Sequence, residues 1–305
     1  MTTEPLTRVD PVDFARRAKE ISELEAATRA RTGHESLGES AWRDLGNPAP
    51  GSVGFFAGDD AYVHVARAEN GEPSSWTASL VKDSALPADA FRPLLAAAVE
   101  HVAEHGGATL ACWIFGVSSA DDTVFADLGF HPRGTLFEMR APFPIAGTPS
   151  WPEGVSVRTF EPGRDDAEWL AVNNRAFLGH PDQGDWHAST LHDRMAEDWF
   201  DPSLFLLAVD DAGIAGYNWL KWHAAEAPDP VLGEIYAIGV DPRAQGTGLG
   251  RALAIAGLHA IHERGADTGM LFVAADNTGA LALYRSLGFD VHRTDRAYVR
   301  EIGTT

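Results

Sequence analysis

Residues 234–251 read Glu-Ile-Tyr-Ala-Ile-Gly-Val-Asp-Pro-Arg-Ala-Gln-Gly-Thr-Gly-Leu-Gly-Arg, a carboxylate followed by a strand and a glycine-rich loop. The apolar strand ends at Val240, Asp241-Pro242 turns the chain, and glycines at 246, 248 and 250 lead into a helical stretch over Ala252–Ile261. Backbone N–H groups at a helix start, with no side chains in the way, form a cradle for phosphate oxygens. A dinucleotide fold would need Gly-x-Gly-x-x-Gly after the first strand and an acid about 20 residues further on. Here the glycines alternate singly and lie late in the chain. Alternation along the strand predicts that Glu234, Tyr236 and Ile238 share one face. A carboxylate so placed can take a proton from an ammonium group, and the backbone N–H of Ile238, freed where strands splay, can donate to an oxygen that gains charge.

A second constellation follows. Met270–Ala275 is an unbroken apolar run, as expected of a strand buried on both faces. Asp276-Asn277-Thr278 predicts a helix cap, Gly279–Ser286 the helix, and Leu287-Gly288-Phe289 its glycine-marked end. The pattern Asn-x-x-Ala-x-x-Leu-Tyr-x-x-Leu-Gly-Phe over 277–289, together with Gln245-x-x-Gly248-x-Gly250, resembles the two signatures of the GCN5-related N-acetyltransferases. The resemblance implies an α/β (α+β) fold, a twisted mixed sheet flanked by helices, that uses acetyl-CoA as co-substrate. It implies that Ile238, Gly239 and Val240 carry the thioester and that Gln245, Gly246, Thr247, Gly248, Leu249, Gly250 and Arg251 hold the pyrophosphate. Asn277, Thr278, Gly279, Ala280, Leu281 and Ala282 would lie along the pantetheine, and Tyr284 would point its hydroxyl at the sulfur. Without the resemblance, Tyr284 reads first as an aromatic packed on an amphipathic helix, and a strand-end charge is the alternative for Glu234.

The bulk properties narrow the partners. At 305 residues the chain is long enough for two domains, and 45% apolar content with 9 Trp and 15 Phe is ample for packed cores. No run approaches the ~18 apolar residues of a membrane span, and the N-terminal residues have no basic-then-apolar leader pattern. The single cysteine, Cys112, lies in an apolar strand and fits a small core residue in a reducing cytoplasm. A net charge of −20 argues against nucleic acid and suits a cationic small-molecule amine. It also opposes a polyanionic cofactor, so backbone donors, Arg243 and Arg251 are expected to offset it locally. A monomer is expected.

Sliding the chain by 159 residues lays Phe125-Ala-Asp-Leu-Gly-Phe130 on Tyr284-Arg-Ser-Leu-Gly-Phe289, and Arg92–His101 on Arg251–Ala260. Two copies of one unit are therefore expected: residues 1–140, a Pro-rich linker over 141–152, and a catalytic half over 153–305. The first copy is worn. Gly246, Gly248 and Gly250 fall on Pro87, Asp89 and Phe91, Glu234 on Ser75 and Tyr284 on Phe125. Proline removes a donor and Asp89 adds a negative charge where a diphosphate would lie.

In the second copy, Val172-Asn-Asn-x-Ala-Phe177, His180-Pro-x-Gln-Gly-x-Trp186, Trp219-x-Lys221-x-His223 and Gly233-Glu-x-Tyr-x-x-Gly-Val-Asp-Pro242 resemble the mycothiol synthase family of tandem acetyltransferases. Leu37-Gly-Glu39 and Asp44-Leu-Gly46 echo it in the first. The resemblance implies acetylation of the cysteinyl amine of cysteinyl-glucosaminyl-inositol. Glu39, Asp182, Lys221, Glu234 and Tyr284 would contact that substrate, with Glu234 as base and Tyr284 as acid. Phe272 departs from the tyrosine common in that family, and the first half lacks its glycine loop. The histidines at 180, 187, 192 and 223 fit no zinc spacing, so no metal is expected. An acetyltransferase for another amine and a non-enzymatic acyl-CoA sensor are the alternative readings.

Overall fold

The computed structural model describes residues 6–68, 75–82, 86–179 and 183–304. In the first half these form β1 (Thr7–Val9), α1 (Phe14–Thr32), α2 (Glu39–Gly46), β2 (Val53–Ala57), β3 (Ala61–Arg67), β4 (Ser75–Lys82), α3 (Arg92–Glu104), β5 (Ala108–Ile114), α4 (Ser119–Asp127) and β6 (His131–Pro142). The second half forms β7 (Ser156–Thr159), α5 (Asp166–Ala176), α6 (Ala188–Met195), β8 (Phe205–Asp210), β9 (Gly213–His223), β10 (Leu232–Val240), α7 (Leu249–Glu263), β11 (Thr268–Ala274), α8 (Thr278–Ser286) and β12 (Asp290–Ile302). The expected repeat is visible in the elements: the offset of 159 residues carries α4 onto α8 at both ends. Both helices are started by side-chain caps. Ser118 Oγ accepts from Asp121 N–H while Asp121 Oδ2 accepts from Ser118 N–H, and Asn277 Oδ1 accepts from Ala280 N–H. Helix α6 ends at Met195, because Ala196 N–H closes on His192 and Asp193 and the chain turns towards Pro202.

The chain divides into two compact units whose limits are not those of the sequence halves. Unit 1 is Met1–Phe137 with Ala274–Asp276 and Arg293–Thr305; unit 2 is Glu138–Val273 with Asn277–His292. The sheet of unit 1 has the order β1-β2-β3-β4-β5-β12, antiparallel except for the parallel pair β4/β5. That of unit 2 has the order β7-β8-β9-β10-β11-β6, with β10/β11 as its parallel pair. The two orders match strand for strand except at the last place, where each half supplies the other's final strand. The segment expected to be a linker from 141 therefore begins inside β6.

Each unit has its own core. In unit 1, Trp76, Leu94, Phe91, Phe125 and Tyr298 are sealed between the sheet and helices α3 and α4, and Phe125 stacks on Tyr298 at 3.9 Å. In unit 2, Phe160, Phe205 and Trp219 stack in series at 4.4 and 4.5 Å beneath α5, with Trp169 edge-on. Removing such a buried ring costs about 3–5 kcal/mol. The other face of that sheet is covered by α7, through Leu249 and Leu253 against Ala208, Ala215, Ile238 and Val240. No helix among the described residues is long and apolar enough to cross a membrane.

Candidate active site

The site is built on β10. Its antiparallel register against β9 runs Glu234↔Lys221 and Ile235↔Leu220, then Ala237↔Trp219, so Tyr236 is an extra residue in a β-bulge. A bulge breaks the period of two. Tyr236 stays on the face of Glu234, with its ring against Trp199 and Trp219 at 4.8 and 5.3 Å. Ile238, expected on that face, lies on the opposite one, packed with Leu249 and Leu253 of α7. The bulge also coincides with the end of the parallel ladder. Pairs from Leu232↔Thr268 to Ile235↔Leu271 are formed, and the register stops there. Asp241 N–H donates to Ala215 O at 2.9 Å, which fixes the phase of the β9/β10 ladder. Bonds to β9 thus fall at Ala237, Gly239 and Asp241, and the backbone groups of Ile238 and Val240 turn to the side where β11 has diverged.

Beside this opening lies Glu234, 7% exposed, with Oε2 accepting from His223 Nε2 at 2.7 Å. Lys221 stands opposite in register, its Nζ 4.7 Å from the centre of the Trp199 ring. Glu234 and Lys221 are thereby neighbours across the two strands. In the sequence His223 carries only a place in the family motif and a rejected zinc spacing, whereas it is the hydrogen-bond partner of the carboxylate. The signal was the spacing Lys221-x-His223, which puts both side chains on one face of a strand.

The loop after β10 has the predicted glycine-dependent geometry. Gly246 and Gly248 have φ of 77° and 87°, a left-handed region that favours glycine, and a Cβ at either would meet no atom within 4 Å. Gly248 caps α7 with no side-chain hydrogen bond, so the first-turn N–H groups rely on an outside acceptor. Thr247 Oγ1 donates to Ala244 O at 2.7 Å and Gln245 Nε2 to Val240 O at 3.3 Å, tightening the loop from within. Gly250 approaches the Val240 side chain, where a Cβ would sit at 3.5 Å. Arg251 Nη1 donates to Ser286 Oγ at 2.6 Å, which joins the start of α7 to the end of α8 and brings the two glycine-containing signatures side by side. Arg243 differs from expectation. Asp210 holds it through two bonds, at 2.5 and 3.0 Å, so its charge is already answered.

On α8, Asn277 spends its side-chain oxygen on the Ala280 N–H, and Thr278, Gly279, Ala280, Leu281 and Ala282 form the first turns. Tyr284 is buried with its ring 5.9 Å from Phe289, and burial pushes its phenol above the usual tyrosine range. At neutral pH it therefore keeps its proton. Phe272 of β11 is 41% exposed, an apolar ring on the surface of unit 2.

The long motif over 172–186 has a structural basis. Asn173 Nδ2 donates to Gln183 O at 2.8 Å, Asn174 exchanges bonds with both backbone groups of Trp186 at 2.9 and 3.0 Å, and Tyr217 Oη donates to Asn173 Oδ1 at 2.6 Å. Two amides thus stand in for a strand partner and fix Gln183 and Trp186 on α5. Asp182 of that loop lies outside the described residues. Glu39 opens α2 in unit 1, next to Ser40, which lines a cavity of about 290 Å³ with Arg43, Asp44, His64, Arg67 and Thr77. No expected catalytic or cofactor-binding residue lines that cavity, and its His64–Asp44 pair, at 2.8 Å, was not anticipated. Cys112 is a buried core residue, its thiol pushed up to about 12 by burial.

Fold and site together define an acetyl-transfer enzyme of the GNAT class, duplicated along the chain. Residues 168–289 match the model of the acetyltransferase (GNAT) family. A tandem GNAT protein from the clavulanic acid biosynthesis pathway superposes with a TM-score of 0.65 at 17% identity, over 99% of each chain, which is likeness of fold. The mycothiol acetyltransferase of Nocardia farcinica is 38% identical over 292 residues, covering 92% of this chain and 93% of its own. That of Thermobispora bispora is 46% identical over 202 residues, covering 65% and 68%. The chain belongs to the mycothiol acetyltransferase family.

Proposed function

We propose that this chain transfers the acetyl group of acetyl-CoA to the cysteinyl amine of cysteinyl-glucosaminyl-inositol, the last step of mycothiol formation. The observation that carries the reading is Glu234, shielded from solvent, held by His223 and facing Lys221 beside the opening between β10 and β11. The carboxylate takes a proton from the ammonium, directly or through water, while His223 fixes its orientation. The freed nitrogen attacks the thioester carbon, and the backbone N–H of Ile238 donates to the oxygen as it gains charge. As the C–S bond breaks, Tyr284 protonates the departing sulfur. With a free thiol pKa of about 8.5, that proton is of modest help. The bare amides from Gln245 to Arg251 receive the diphosphate, and Asn277–Ala282 flank the pantetheine. Lys221, Asp182 and Glu39 bind the polyol acceptor, since hydroxyls donate to carboxylates and accept from an ammonium.

On this reading the catalytic half is 153–305 and residues 1–140 carry no transferase chemistry. One buried thiol suits a reducing cytoplasm. The test is a thiol-release assay with acetyl-CoA against cysteinyl-glucosaminyl-inositol and a panel of other primary amines. The proposed acceptor should give the highest kcat/KM. Preference for a peptide or aminoglycoside amine would move the enzyme to another acceptor, and no release with any amine would point to an acyl-CoA sensor.

A further inference from the structure

Helix α3 of unit 1 ends in His101-Val-Ala-Glu-His105, two imidazoles one helical turn apart with a carboxylate between them on the same face. One ligand atom from each of His101, Glu104 and His105 lies within 4.8 Å of the other two. The backbone dictates the tautomers. A carbonyl can only accept, so His101 donates its Nε2–H to Gly51 O at 2.7 Å, and His105 donates its Nδ1–H to His101 O at 2.8 Å. Each ring is left with one lone pair, on His101 Nδ1 and His105 Nε2. Metal-binding histidines are oriented in this way, with the second nitrogen engaged by a backbone carbonyl.

His101 is 2% exposed, and its Nδ1 is a buried polar atom without any hydrogen-bond partner. Such orphans call for an explanation. The rings of His101 and His105 lie 4.1 Å apart, enclosed on one side by Trp76, while Glu104 and His105 reach solvent and leave an entry path. The negative end of the α3 dipole falls on the same spot and favours a cation.

We propose that His101, Glu104 and His105 bind a divalent first-row transition ion of the Zn²⁺, Co²⁺ or Ni²⁺ type in the non-catalytic half. Two imidazoles and one carboxylate suit these ions better than Mg²⁺ or Ca²⁺. The site shares no residue with the acetyl-transfer machinery.

The test titrates tag-free full-length protein with CoCl₂, followed by calorimetry and by the visible ligand-field band. One Co²⁺ per chain is expected, displaced by Zn²⁺ and indifferent to Mg²⁺. Ni²⁺ should quench part of the tryptophan fluorescence through Trp76. His105→Ala and Glu104→Gln alter exposed side chains and should leave the circular dichroism unchanged. Each should weaken Co²⁺ by at least the roughly tenfold lost with an outer-shell partner. His192→Ala, at an exposed histidine elsewhere, should leave it unaltered. No uptake at micromolar Co²⁺, or uptake undiminished in His105→Ala, overturns the proposal.

Discussion

Glu234 is the residue on which the proposed chemistry turns, and its surroundings separate two kinds of loss. Glu234→Gln keeps the shape and removes the base, so kcat should fall by about 10²–10⁴ while acetyl-CoA binding, measured by calorimetry, stays as it was. His223→Ala leaves the carboxylate in place without its 2.7 Å donor, so a smaller fall in kcat with a displaced pH–rate profile is expected. Equal losses in both variants would mean that histidine, not glutamate, takes the proton. Glu234 itself was legible in the sequence from its place ahead of the glycine loop. Its partner was not, because which residue of β9 stands near it depends on the register of the two strands. The side of Ile238 was misread for a related reason. A strict alternation has no means of knowing that Tyr236 is an inserted residue, and one insertion moves everything after it to the other face.

At the level of elements, the two copies differ where a cofactor would enter. In unit 2 the parallel ladder stops at Ile235↔Leu271, and the bulge turns β10 aside. In unit 1 the β3/β4 register runs without a shift, and β4/β5 pairing continues to Ser79↔Trp113; Ser79 is the counterpart of Ile238 at the repeat offset. The worn copy has closed the opening as well as lost its glycines. Calorimetric titration should therefore return one acetyl-CoA per chain, and a stoichiometry of two would contradict this account. Gly248 carries the loop of the working copy. Gly248→Ala forces a Cβ into the left-handed region, at about 1–2 kcal/mol, and should weaken acetyl-CoA with little change in kcat at saturation. The wear in the glycine loop could be read from the sequence at 87, 89 and 91. The longer ladder could not, since strand pairing leaves no mark on residue types.

For the whole molecule, stability and pH meet at α5. Arg158 clamps Asp165 with bonds of 2.5 and 2.8 Å, and this, with Glu161 N–H, outweighs burial and holds the carboxyl below its usual range. A depressed folded pKa contributes stability that is present above the ordinary carboxylate value of about 3.9 and is lost as pH falls through the folded one. Urea midpoints should drop on acidification below about pH 4. Asp165→Asn should start about 1–3 kcal/mol less stable at neutral pH and drop less steeply. The duplication was legible in the sequence, but the exchange of β6 and β12, which moves the unit limits away from the expected linker, was not. Both strands follow the same Leu-Gly-Phe helix end, and only long-range pairing decides which sheet each one completes.

Those crossed final strands make the first copy indispensable to the fold of the second. A gene shortened to the working half would encode a polypeptide whose last ribbon has lost its home and whose β11 edge stands bare, an invitation to clumping.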